Sequence, residues 1–279
     1  MKNKKIIWDL FGGGVNSVYH ALKNNDDFEV YTFDLVPETE HQNQHVIDLS
    51  KKFQDLKEYF SKLPKPDIIV ASPLCQSFSS VLTMKGGGTC FWEYENESKT
   101  SLKERSIENF NLLKSGFTKN LKSEKQLFLK RLGEKCINNT IDLIKEFKPK
   151  YFYIENPKNS LIWKYIQFNR NDFFKNDFIF NKCFYSAYGY SQPKPTIFLS
   201  NINFELDNTN HLKKITENGY KIFVDKNGNQ VSKMRNGDRL DPKNRTAKFK
   251  TQGTFQAKEA ALVSHIPKKL IRTIFEKFN

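Results

Sequence analysis

Short apolar runs bounded by turn residues recur through the first 80 residues, with helical spacing between them. Lys5–Leu10 predicts a strand ending in a glycine turn, and Asn16–Asn24 predicts the helix that follows. Glu29–Phe33 predicts a second strand, closed by Asp34. Leu49, Phe53, Leu56 and Phe60 share one helical face and predict a helix over Ile47–Phe60. The β-branched run Asp67–Ala71 predicts another buried strand, stopped by Ser72-Pro73. Strands alternating with helices predict an α/β fold, a mostly parallel sheet with helices on both faces.

Beyond Gly86 the pattern weakens as far as about Leu132. A polar stretch of that length predicts a mobile loop over 86–132. Helical spacing resumes over Leu127–Phe147 and stops before Pro149. Tyr151–Ile154 predicts a short strand ended by Glu155-Asn156-Pro157, and Phe178–Tyr188 with Thr196–Leu199 predicts an antiparallel pair. The segment Asn203–Gln252 is polar and rich in turn residues, with Asn227-Gly228 and Asn236-Gly237 as hairpin signals. It predicts a small, irregular, basic lobe. The tail has a helical rhythm broken by Pro267, with Leu270, Ile271, Ile274, Phe275 and Phe278 on its apolar face. The expected division is a catalytic domain over 1–202, a lobe over 203–255, and a helical tail over 256–279 packing back on the domain.

With 279 residues, 38% of them hydrophobic, the chain can build one large core or a core with a small lobe. No run approaches the roughly 18–20 apolar residues of a membrane span. The basic start loses its apolar character at Asp9, unlike a signal peptide. Cys75, Cys90, Cys136 and Cys183 show no close pairing, so neither a zinc site nor a disulfide framework is expected, and the expected compartment is a reducing cytoplasm. The scattered histidines show no metal-ligand spacing. The formal net charge of +14 changes the picture most. It points to a polyanion such as nucleic acid, since each neutralised phosphate releases counterions; lysines coating solvated helix faces are the plainer alternative.

Two constellations carry chemistry. The first is the turn Asp9-Leu10-Phe11-Gly12-Gly13-Gly14 with Asp34, at the end of the next strand. Glycine lets the backbone approach a ligand, and an acid at the second strand end can accept hydrogen bonds from ribose hydroxyls. The glycines lack the GxGxxG spacing, and no P-loop lysine follows, so the turn suits a nucleoside without phosphates. Asp48 is placed to contact its adenine. The second constellation is Cys75 with Glu155, each just past a short apolar strand. Parallel strand ends bring together groups distant in sequence. A thiolate is a strong nucleophile, and a neighbouring carboxylic acid suits proton donation to a ring nitrogen. A buried structural cysteine and a helix-terminal glutamate are the alternatives.

The glycine turn, Ser72-Pro73-Leu74-Cys75-Gln76-Ser77-Phe78-Ser79 and Ile154-Glu155-Asn156-Pro157 occur in that order. They resemble the first, fourth and sixth motifs of the DNA cytosine-C5 methyltransferases, in the short form common in phages and AT-rich bacteria. The resemblance covers about the first 200 residues. It implies a Rossmann-like methyltransferase fold and transfer of a methyl group from S-adenosylmethionine to C5 of a cytosine flipped out of double-stranded DNA. By it, Cys75 adds to C6, Glu155 protonates N3, and Lys194 stands at an arginine position of the eighth motif. Asp9, Phe11, Gly12, Gly13, Gly14, Asp34, Leu35, Asp48, Leu49 and Pro73 would hold the cofactor. Gln76, Ser79, Gln192, Arg235, Arg239 and Arg245 would contact DNA, the last three from the lobe, where the family places target recognition. The implied setting is a monomer in a bacterial cytoplasm or phage-infected cell.

The chain also departs from the family pattern. Leu74 separates Pro73 from Cys75, Pro157 replaces a valine, and Lys194 and Thr196 replace two arginines. Lysine keeps the charge without the guanidinium fork. The family's Gly-Asn-x-Val is not visible, and His265-Ile266-Pro267 with the helix after it stands in its place. An RNA cytosine methyltransferase on the same frame and a catalytically silent DNA-binding relative are the rival readings. A methyltransferase acting on an exocyclic amine is disfavoured, because no aromatic residue stands where stacking would need one.

Overall fold

The structure is a computed structural model that describes residues 3–12, 16–36, 41–79, 91–114, 122–218, 220–235 and 265–278. Its centre is a seven-stranded sheet. In chain order the strands are β1 (Lys5–Leu10), β2 (Phe28–Asp34), β3 (Gln44–Val46), β4 (Ile68–Ala71), β7 (Tyr151–Pro157), β8 (Ile179–Phe184) and β9 (Pro195–Ser200). Their spatial order is β3-β2-β1-β4-β7-β9-β8. The first five run parallel, and β9 lies antiparallel between β7 and β8. This is a Rossmann-like α/β fold: a mostly parallel sheet that winds outward in both directions from β1, with one reversed strand, β9, next to its edge.

Alternation along the strands splits the core in two. Trp8, Leu10, Ile69, Ala71 and Ile154 face helices α2 (Phe53–Phe60) and α4 (Ser123–Phe147), where Leu56, Phe60, Ile137 and Ile141 meet them. Ile7, Ile68, Val70 and Tyr153 face α1 (Ser17–Leu22) and the C-terminal α6 (Lys268–Glu276). The five tail residues read as an apolar face are all buried there. The Ser17 hydroxyl accepts the Ile266 amide at 3.2 Å, and Lys5 Nζ donates to the Phe278 carbonyl at 2.8 Å, tying the tail to the first strand and helix. No helix among the described residues is long and apolar enough to cross a membrane.

Three sequence expectations are corrected. Residues 44–46 form the edge strand β3, and α2 starts only at Phe53, because the Thr32 amide donates to Asn43 and that of Ile47 to Asp34, drawing this stretch onto the edge of β2. The described part of 86–132 is built rather than bare loop. It holds an antiparallel hairpin of β5 (Trp92–Tyr94) and β6 (Leu102–Glu104), helix α3 (Ile107–Leu113), and the first turns of α4, which begins at Ser123. Lysine–aromatic contacts dock the hairpin: Lys130 Nζ lies 4.0 Å from the Trp92 ring centre, and Lys164 Nζ, from the helical turn α5 (Ile162–Lys164), lies 4.6 Å from that of Tyr94. The described part of the lobe, as far as Arg235, is regular: an antiparallel sheet of β10 (Lys213–Glu217), β11 (Tyr220–Val224) and β12 (Gln230–Arg235). Asn227-Gly228 does sit in a connecting turn; Asn236-Gly237 lies outside the described residues.

Candidate active site

Because β1 to β4 and β7 run parallel, their carboxyl ends share one edge of the sheet, and the candidate residues gather there. Phe11 leaves β1 at φ 64°, with its amide donating to the Phe33 carbonyl at 2.8 Å. A side chain at Gly12 would bring a Cβ within 2.1 Å of Asp9 Oδ2, so only glycine fits the turn. Asp9 itself points inward, 4% exposed, and its Oδ2 has no hydrogen-bond partner among the described residues. Burial, and then the Asp34 carboxylate, hold its pKa well above the usual carboxylate range.

Asp34 closes β2 and accepts the Val36 amide at 3.2 Å, and beside it Leu35 is 62% exposed. Asp48 follows β3, its Oδ1 accepting the Ser50 amide at 2.9 Å and hydroxyl at 2.7 Å. Leu49, expected at the cofactor site, instead turns its side chain into the core. Gly13 and Gly14 lie outside the described residues.

The loop after β4 is held from below. Ser77 packs against the bare backbone of Gly133 on α4, where a Cβ would come within 1.8 Å of its Oγ. Phe78 is buried and stacks on Trp92 with ring centres 5.2 Å apart, while its carbonyl accepts the Leu161 amide at 2.8 Å. Anchored by its neighbours, Cys75 starts a single 3₁₀ turn, Gln76–Phe78, and is exposed. The surrounding protein still crowds the sulfur: desolvation and then the Glu155 carboxylate raise its pKa, against the Lys194 ammonium and its own backbone hydrogen bond. Cys136 and Cys183 are buried, and burial first pushes both thiols up to about 12, which leaves Cys75 the accessible thiol among the described cysteines.

Glu155 lies on β7, the parallel neighbour of β4. It is 7% exposed, and Tyr185 donates its hydroxyl to Oε1 at 3.0 Å. Lys194, immediately before β9, holds its ammonium 4.5 Å from the centre of the Tyr185 ring. Pairing of β4 with β7 sets Glu155 beside the loop that carries Cys75, and Tyr185 links Glu155 to Lys194 by touching both. An exposed sulfur, a buried carboxyl and a cation thus meet at the ends of adjacent strands. This arrangement can add a nucleophile to an electron-poor ring and protonate that ring.

No protein-family model and no curated protein sequence matches the chain. Among solved structures it is similar to a protein described as a DNA modification methyltransferase encoded within an Escherichia coli prophage, at 17% identity and a TM-score of 0.38, over 71% of this chain and 46% of that one. It is also similar to the Entamoeba histolytica methyltransferase EhMeth, at 16% identity and a TM-score of 0.37, over 78% and 63%. A third is a DNMT2 mutant from Spodoptera frugiperda, at 18% identity and a TM-score of 0.33, over 71% and 49%. The chain spans about half the length of the first and third of these structures and 63% of the second.

Of the residues expected at DNA, Gln76 is exposed beside Cys75, whereas Ser79 is half-buried and bridged to Ser160. Gln192 is half-buried, its carbonyl accepting the Lys194 amide at 2.9 Å. Arg235 ends β12, paired with Tyr220, and Ser232 in the same strand donates to the Ser191 carbonyl at 2.8 Å, bringing the lobe against the loop that carries Gln192. Arg239 and Arg245 lie outside the described residues. The sequence reading missed Tyr185 and Gly133. A tyrosine inside an apolar run is a signal for the first, since a buried hydroxyl needs a partner; a lone glycine within a helical pattern is one for the second. It also passed over Asn218, which follows β10 at φ 47°.

Proposed function

We propose that this chain is an S-adenosylmethionine-dependent DNA cytosine-C5 methyltransferase. The observation that carries the reading is that the exposed Cys75 thiol, the buried Glu155 carboxyl and the Lys194 ammonium stand at the same edge of the sheet, where β4, β7 and β9 lie side by side. Amine methylation needs no thiol. Transfer to C5 of a pyrimidine does, because that carbon becomes nucleophilic only after a group adds at C6.

In this mechanism the Cys75 sulfur adds to C6 of the flipped-out cytosine while Glu155 delivers a proton to N3. Electron density then gathers at C5. S-adenosylmethionine, when bound, supplies an electrophilic methyl group. Loss of the C5 proton to a base expels the Cys75 thiolate, and return of the N3 proton to the Glu155 carboxylate restores the neutral ring. Lys194 favours the thiolate through its charge. Phe11, Gly12, Asp34, Leu35, Asp48 and Pro73 would hold the cofactor. Asp34 with exposed Leu35 offers a carboxylate that can accept from ribose hydroxyls beside an apolar side chain that fits an adenine face. The +14 charge and the lysine-bearing lobe would neutralise DNA phosphates.

The test is bisulfite-type sequencing of DNA from cells expressing the protein or its Cys75→Ser variant. Cytosines protected at a recurring sequence, and only with the native chain, are the expected result. Unprotected DNA together with methylated RNA in the same cells would replace the DNA reading with its RNA rival.

A further inference from the structure

We propose that Tyr185 is a positioning residue that sets both the acid and the cation of this site, orienting Glu155 through its hydroxyl and carrying Lys194 on its ring. The proposal rests on the cytosine-C5 reading and adds a residue that no motif match supplied. Tyr185 follows β8 directly and is fully buried, its ring edge-on to Tyr190 with centres 5.8 Å apart. Its amide donates to the Lys194 carbonyl at 3.1 Å, so the backbone around Lys194 and the ring beneath the ammonium are placed by the same residue.

The hydroxyl has one proton, and it goes to Glu155 Oε1. Thr196 is buried at the start of β9, its hydroxyl donating to the Lys194 carbonyl at 3.4 Å, the same carbonyl that accepts the Tyr185 amide. With Oε1 already accepting, the acid form of Glu155 must carry its proton on Oε2. One oxygen is thereby assigned to Tyr185 and the other to proton delivery. When Oε2 gives its proton to the ring nitrogen, the carboxylate that remains is stabilised by a hydrogen bond already in place, without reorganisation at that moment. The ring face meanwhile attracts the ammonium and holds a flexible lysine where the guanidinium fork is missing.

Two substitutions separate the roles. Tyr185→Phe keeps the ring and removes the hydroxyl; Tyr185→Leu removes both. Thermal unfolding checks that each variant is folded. Single-turnover methyl transfer at saturating cofactor should slow about tenfold or more in Tyr185→Phe, the scale of a lost hydrogen bond to a charged group, with cofactor affinity unchanged. In a Glu155→Gln background the same change should add less than about twofold, because the two residues act as one unit. A Tyr185→Phe rate within about twofold of native, or an equal loss in both backgrounds, overturns the orienting role.

The second readout needs no methyl transfer. The pH midpoint for alkylation of Cys75 by iodoacetamide, followed by mass spectrometry, should rise in Tyr185→Leu towards that of Lys194→Met and stay near native in Tyr185→Phe. An unmoved midpoint in Tyr185→Leu overturns the carrying role. A native chain that alkylates as expected but methylates no nucleic acid overturns the cytosine reading and, with it, the orienting role, leaving the ring-and-lysine arrangement to be judged by its own midpoint.

Discussion

Asn156 donates through Nδ2 to the carbonyl of Pro73 at 2.9 Å. The residue after Glu155 is thereby tied to the loop that presents Cys75, across the β4–β7 pair. Both groups are buried, so the bond forms without competition from water, and losing it would strand a carbonyl in the interior. The nucleophile and the acid are held as one unit.

Cys75→Ser is expected to abolish methyl transfer while leaving DNA binding in place, since a serine hydroxyl is far less nucleophilic than a thiolate and the charge is unaltered. Filter binding and methyl incorporation with one DNA preparation measure both. Full activity in the variant would remove the covalent mechanism.

Glu155→Gln should slow transfer by at least ~10²-fold, the lower end for general acid catalysis. The amide still accepts from Tyr185 but has no proton of comparable acidity to deliver. A rate equal to native would end its role as the acid.

The Cys75 thiol should titrate above an ordinary cysteine, and its two neighbours should move it in opposite directions. Burial leads the upward shift, with Glu155 adding to it and Lys194 opposing. Glu155→Gln therefore lowers the alkylation midpoint of Cys75, and Lys194→Met raises it. Midpoints that move together, or not at all, would show that these charges do not act on the sulfur.

Gly133→Ala should destabilise the protein although alanine favours a helix by about 1 kcal/mol. The new Cβ would lie 1.8 Å from Ser77 Oγ and 2.4 Å from its Cβ, and overpacking of that kind costs about 1–3 kcal/mol. The displaced loop carries Cys75, so transfer should slow as well. Ser77→Gly in the same chain should restore both. A rise in melting temperature for the single variant would contradict the packing.

Local pattern was enough to find β1 over Lys5–Leu10, the buried strand before Cys75 and the apolar face of the C-terminal helix; it found β7 only as far as Ile154, although the strand runs on through Glu155 to Pro157. In each, the side-chain period records burial on one face or both, and burial is what composition along a segment encodes. The same period misled at Ile47–Phe60. Its apolar residues do reach the core, but the loop after the edge strand delivers Ile47 and Leu49 and a helix the rest. The neighbour relations came from tertiary structure alone. That β7 lies beside β4, that β9 enters in reverse next to β7, and that Tyr185 therefore meets Glu155 and Lys194 all depend on how chain crossovers order the strands. No residue's own periodicity reports that order, because it is settled by contacts between segments many residues apart.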